Sequence, residues 1–183
     1  MIVLPNNMAR YISALRIYIS LQVLKYGLNA KHLERLRKIY IAEAFLNSET
    51  TQSVNIGKLV FNLLESVSAI KPDFKYRFKS TGNFLINKKL LIVLLLNLSR
   101  RKNFIEIESV NDYLTIKVIG KIKKSLSTVK TLKGLCLYEV KSNQTLIILP
   151  SKKTSQKSVP IESEWQNLFD SFSAFNIFFT RIL

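Results

Sequence analysis

The chain has 183 residues, enough for one ordinary domain or two small ones, and 48% of them are hydrophobic, which excludes disorder as the default. Its 28 basic residues outnumber 12 acidic ones for a formal charge of +16; that favours anionic partners such as nucleic acid, an acidic protein face or anionic lipid, the plainer reading being a solvated lysine-rich surface. Cys136 is the single cysteine, which excludes an internal disulfide and the usual zinc clusters. The start, MIVLPNNMAR, lacks the charge pattern of a secretory leader and no run of ~18 uncharged apolar residues follows, so a cytoplasmic chain with no membrane span is expected.

Residues 6–26 read as the first helix. Met8, Tyr11, Ile12, Leu15, Tyr18, Ile19 and Gln22 share one face, and Ile17, Leu21 and Leu24 widen the stripe until it must contact more than one neighbour. Pro5 and Asn6 suit the helix start, and Gly27-Leu28-Asn29 its end. A second helix, from Ala30 to about Asn47, directs Leu33, Leu36, Tyr40, Ala44 and Phe45 inward. A short Gly/Asn turn makes the two an antiparallel hairpin. Its wide stripes are buried either by a second chain, in a four-helix bundle, or by the rest of the same chain.

The polar break SETTQS, Ser48 to Ser53, marks a domain boundary, dividing the chain into a helical hairpin (1–50) and the remainder (51–183). Asn55 caps a helix carrying Ile56, Leu59, Val60, Leu63, Leu64 and Val67, and Pro72 ends it. Phe74, Tyr76 and Phe78 alternate with Lys75, Arg77 and Lys79, the period of a half-buried strand with a basic outer ladder. Leu90, Leu91, Val93, Leu94 and Leu98 give Asn87–Arg101 the pattern of a buried amphipathic helix. Two alternating segments follow, Phe104–Ser109 and Tyr113–Val118, with Asn111-Asp112 supplying a tight turn. A helix on such a hairpin is half of an α+β sandwich. Gly120–Lys133 is a Lys/Ser/Thr-rich connector. Residues 134–150 are either a short helix before a strand at Thr145–Leu149, or a strand hairpin turning at Ser142-Asn143. Ser151–Val159 reads as a polar linker. Pro160 opens a helix with Ile161, Trp165, Leu168, Phe169 and Phe172 on one side, and the alternation of Phe175, Ile177 and Phe179 suggests a final strand.

This order resembles the dimerisation and ATP-binding halves of a bacterial sensor histidine kinase. LERLRKIYIAEAFL (Leu33–Leu46) looks like the second helix of the dimerisation hairpin, and SVNIGKLVFNLLESV (Ser53–Val67) like the opening of the catalytic domain. LLIVLLLNLSRR (Leu90–Arg101) is similar to the segment around the N box, and KGLCLYEVK (Lys133–Lys141) with TLIILP to the G2 box and its strand. The resemblance covers about residues 6–150. It implies an α+β fold: an N-terminal antiparallel helical hairpin, then a HATPase-like (GHKL) α/β sandwich with a mixed, mainly antiparallel sheet.

The family's chemistry fails at the matching positions. Asn6 stands where the phosphoacceptor histidine belongs, and its amide has no comparable nucleophilic lone pair. The magnesium-binding asparagine of the N box falls on Arg101, a cation that repels Mg²⁺. The adenine-reading aspartate falls near Gly120 with no carboxylate nearby, and the glycine-rich turn is reduced to Gly134, with Cys136 in place of another glycine. The connector is too short for an ordinary ATP lid. No catalytic residue, cofactor or metal is therefore expected.

His32, the only histidine, starts the second helix, toward the opposite end of the hairpin from the family's phosphoacceptor; it reads as a surface histidine or, alternatively, as a phosphorelay group. Cys136 reads as a small core residue. Lys75, Arg77 and Lys79, then Arg100–Lys102, then Lys121, Lys123 and Lys124 are candidate phosphate contacts, although cations at a helix carboxyl end also complement its dipole. The reading with most support is a degenerate histidine-kinase-like adaptor that dimerises through its hairpin. The resemblance implies docking of an acidic receiver domain of a response regulator by Arg10, Arg16, Arg37 and Lys38. A basic nucleic-acid-binding module and a phosphotransferase using His32 are the alternatives.

Overall fold

The computed structural model describes residues 6–46, 51–110, 112–119, 137–141, 143–158 and 173–180. Two helices come first, α1 (Asn6–Tyr26) and α2 (Ala30–Leu46). Gly27 adopts φ +80° and its N–H donates to the Val23 carbonyl at 2.8 Å, closing α1 in a left-handed conformation that a side chain would strain. Asn29 opens α2 by accepting the His32 N–H at 2.9 Å. After them run β1 (Gln52–Asn55), α3 (Ile56–Ile70), β2 (Lys75–Lys79), β3 (Asn83–Ile86), α4 (Lys88–Arg101), β4 (Phe104–Val110), β5 (Tyr113–Ile119), β6 (Leu137–Lys141), β7 (Gln144–Pro150), β8 (Lys152–Thr154) and α5 (Ala174–Phe179).

The fold is α+β. The larger sheet has the order β2-β4-β5-β7-β6; β2 and β4 run parallel and the other neighbours antiparallel, so the sheet is mixed and mainly antiparallel. β4 and β5 form the expected hairpin, and of the two readings of residues 134–150 the strand hairpin is the one that forms, with Glu139 opposite Leu146. One face of the sheet is apolar: Ile105 and Ile107 on β4, Leu114, Ile116 and Val118 on β5, and Ile147 and Leu149 on β7 are buried. α3 packs against β2 and α4 against β4, with Asn55 and Asn87 capping their first turns through 2.9 and 2.8 Å hydrogen bonds. β2 is an edge strand whose Lys75, Arg77 and Lys79 face solvent, a charged edge that discourages further strand pairing.

α4 is more enclosed than a one-sided stripe implies. Every residue from Leu90 to Ser99 is buried, because α2 and α5 cover the part of α4 that the sheet does not. Leu33, Leu36, Ile39, Tyr40 and Ala44 of α2 join the same core as α3, α4 and the sheet, so this chain itself covers the inner stripe of α2. α1 packs outermost, on α2.

Three sequence expectations change. Ser48–Ser53 is not wholly a break, since Gln52 and Ser53 begin β1 and pair with Ile86 and Leu85. The 151–159 linker contains β8, which pairs antiparallel with β3 and completes a second sheet of order β1-β3-β8; backbone pairing holds it there without apolar side chains. The Gln156 carbonyl accepts from Ser53 Oγ at 3.0 Å and Asn83 Nδ2 at 2.9 Å, anchoring the segment further. The alternation at Phe175, Ile177 and Phe179 is not a strand but α5, capped by Ser173 and buried through Ala174, Phe175, Ile177 and Phe178. An apolar run this short carries no decisive period, and the Phe175–Phe179 ring pair at 5.2 Å is an i,i+4 contact that only a helix makes. The helix read from Pro160 lies outside the described residues. No helix among the described residues is long and apolar enough to cross a membrane.

Candidate functional site

The hairpin's outer surface is where the chain spends apolar residues on solvent. α1 has two apolar rows. Ile12, Leu15, Ile19 and Val23 turn toward α2, with Ile19 buried and the others half-buried. The second row, Ala14, Ile17, Leu21 and Leu24, follows the alternating three- and four-residue step of a coiled-coil seam and is exposed: 62% at Ile17, 57% at Leu21 and 72% at Leu24. Tyr11 and Tyr18 flank it, both exposed. A groove of about 350 Å³ runs beside it, lined by Ser13, Arg16, Ile17, Ser20, Leu21 and Glu43. The outer face of α2 is different in kind, with Lys31, Arg35 and Lys38 all exposed.

The four cations assigned to partner docking from the sequence divide into two pairs. Arg10 and Lys38 are exposed. Arg16 is engaged within the chain: its guanidinium lies 3.3 Å from the Glu43 carboxylate, donates to Tyr40 Oη at 3.0 Å and sits 4.8 Å from that ring's centroid. Lys89 of α4 lies 3.5 Å from the same carboxylate, so Glu43 ties three helices together. Arg37 is turned inward, its side chain only 11% exposed, and donates to the carbonyls of Ile177 (2.8 Å), Phe178 (3.3 Å) and Thr180 (3.2 Å). It satisfies the carboxyl end of α5 and offers no free fork to a partner. Nothing in the sequence near Arg37 signals this, because its acceptors are backbone carbonyls some 140 residues away.

The positions that the resemblance aligned with kinase motifs are placed as follows. Asn6 is the first residue of α1, and Arg101 is exposed at the last turn of α4. Gly120, Gly134 and Cys136 lie outside the described residues. Around Arg101 the field is positive: burial pushes the Arg37 guanidinium below its usual range and Arg101 adds to that, while Glu34 acts the other way. Such a cluster of positive charge is unfavourable to a bare divalent cation. His32 is half-buried, with Nδ1 enclosed and unpartnered. Tyr76 and Phe78 pack on the core, away from Lys75 and Lys79, so the basic edge has no stacking platform. Arg77 on that edge is itself 3.5 Å from Glu106.

No known family's profile matches the chain, and no curated protein does. Among solved structures, the chain is similar to the Acinetobacter baumannii histidine kinase AdeS, at a TM-score of 0.43 and 10% identity over 80% of this chain and 97% of that one. That likeness is too loose to carry a function.

Proposed function

We propose that the chain is a non-catalytic, histidine-kinase-like adaptor. It forms a homodimer through α1 and presents basic helical surface to an acidic signalling partner, a receiver domain by the resemblance above. The observation that carries this is the exposed Ala14, Ile17, Leu21 and Leu24 row on a helix whose other apolar row is already packed. A second copy supplies an identical row, so two hairpins close a four-helix bundle about a two-fold axis. Arg10 and Lys38, with Lys31 and Arg35, remain at the surface to steer an acidic partner.

Arg10→Glu combined with Lys38→Glu tests the partner. Titrating purified receiver domains against the dimer at low salt, the double reversal is expected to weaken binding roughly 10- to 100-fold, mostly through slower association. Unchanged binding removes the physical basis of docking on this face.

Absence of nucleotide chemistry is tested by thermal unfolding with ATP and Mg²⁺. A ligand that binds only the native state must raise the midpoint. No magnesium-dependent rise is expected at millimolar ATP, because the resemblance puts Arg101 where the family has its metal-binding asparagine. A clear magnesium-dependent shift at sub-millimolar ATP would return an enzyme to first place.

A further inference from the structure

A second feature, away from the α1 face, is a cleft of about 810 Å³ where α2, the carboxyl end of α4 and α5 meet. Four apolar side chains line part of it, Leu33, Ile70, Phe175 and Phe179. Three cations also line it, Arg37, Lys71 and Arg100, and two of them already serve backbone carbonyls. Arg37 holds the end of α5, as described above. Lys71 Nζ donates to the carbonyls of Ser99 at 2.9 Å and Lys102 at 2.8 Å, closing the end of α4. Arg100 differs. Its Nε–H is buried without a hydrogen-bond partner, and among the described residues no carboxylate pairs with it. Glu34 is occupied by Arg37 at 3.6 Å.

A half-buried guanidinium without a partner costs stability, and proteins rarely keep one without use. The cost registers in its acidity: burial, then the charges of Arg37 and Arg101, pushes Arg100 down to about 10. The cleft therefore combines one available planar fork with a mixed lining that includes four apolar side chains. A guanidinium fork matches a carboxylate through two parallel N–H···O bonds, and one fork neutralises one charge. The volume lies within the roughly 300–1,000 Å³ of small-molecule sites. We infer that this cleft is a binding site for an amphiphilic monocarboxylate, with the carboxylate on Arg100 and an aliphatic or aryl body against Leu33, Ile70, Phe175 and Phe179. A polyphosphate fits less well, since the neighbouring cations are committed to carbonyls.

The test uses the full chain with three probes of known chemistry: decanoate, decanol and inorganic phosphate, the amphiphiles kept below their aggregation limits. Calorimetric titration and thermal unfolding are both read. Decanoate is expected to bind and to raise the midpoint, decanol to bind roughly 10- to 100-fold more weakly for lack of the charge-assisted pair, and phosphate alone to give no shift. In Arg100→Met the preference for decanoate over decanol should vanish, while the ligand-free midpoint does not fall, because an unpartnered cation has been removed. Arg100→Lys, which keeps charge and loses the fork, should retain only part of the preference. Equal binding of decanoate and decanol by the wild type would mean an apolar sink, and a response to phosphate alone would mean an inorganic-anion site; either overturns the assignment. So would wild-type decanoate affinity in Arg100→Met. Each probe is also run on Arg10→Glu/Lys38→Glu, where decanoate binding should persist, so that failure of the cleft and failure of the adaptor reading are told apart.

Discussion

Leu95→Ala is expected to lower the unfolding free energy by about 2–5 kcal/mol, the usual range for truncating a leucine in an enclosed core. Leu95 is 0% exposed and sits at the middle of α4, which contacts the sheet, α3, α2 and α5. Removing its isobutyl group loses the transfer energy and leaves a cavity that packed layers on several sides cannot collapse into. A domain of this size has about 5–15 kcal/mol in total, so the substitution removes a large fraction. The matched control is Phe61→Ala. Phe61 is a larger side chain on α3 but 57% exposed, and its truncation should cost well under half as much. The measurement is urea unfolding at fixed protein concentration, reading the midpoint with the slope unchanged. A loss below about 1 kcal/mol for Leu95→Ala would mean that α4 is not enclosed on both sides.

The enclosure of α4 marks the limit of what the sequence discloses. Where burial is one-sided, residues carry the information: α3, β2, β4 and β5 fall where their apolar periods place them, and Asn55 and Asn87 cap where their side chains permit. α4 reads as an amphipathic helix because Leu90, Leu91, Val93, Leu94 and Leu98 recur at helical spacing, yet Asn97 and Ser99 are buried as well; Ser99 is accommodated by donating back to the Leu95 carbonyl at 2.7 Å. β1, β3 and β8 are three or four residues long, and backbone pairing rather than side-chain pattern sets their register. α5 has apolar residues nearly all round, so no period distinguishes strand from helix. The candidate sites divide in the same way. The wide stripe of α1 was legible because an excess of apolar residues over one neighbour's needs is a compositional fact. Arg16, Arg37 and Arg100 were not legible as individuals: a surface fork, a carbonyl cap and an unpartnered cation look alike until the elements that meet them are in place.

Replacing Ile17 and Leu21 together by Glu should convert the dimer to a folded monomer. Both side chains are more than half exposed in the protomer, so roughly half of the ~1.5–3 kcal/mol for burying such a side chain remains to be gained on association. Two-fold symmetry counts each position twice. Four side chains then contribute on the order of 3–6 kcal/mol, which corresponds to a roughly 10²- to 10⁴-fold change in dissociation constant before the four introduced carboxylates add their own repulsion. A micromolar dimer would become undetectable at working concentrations. Because neither side chain belongs to the protomer's core, helical content and the cooperative unfolding transition should survive. Light scattering after size exclusion is the direct reading: twice the 21.1 kDa chain mass for the wild type and 21.1 kDa for the variant. Lys38→Glu, on the other helix and outside the row, should remain a dimer. A wild-type chain that is monomeric at high micromolar concentration would leave the apolar row of α1 without its proposed occupant and would remove the observation on which the adaptor reading stands. A dimer that survives both glutamates would place the contact elsewhere and force a different account of why Ile17, Leu21 and Leu24 face water.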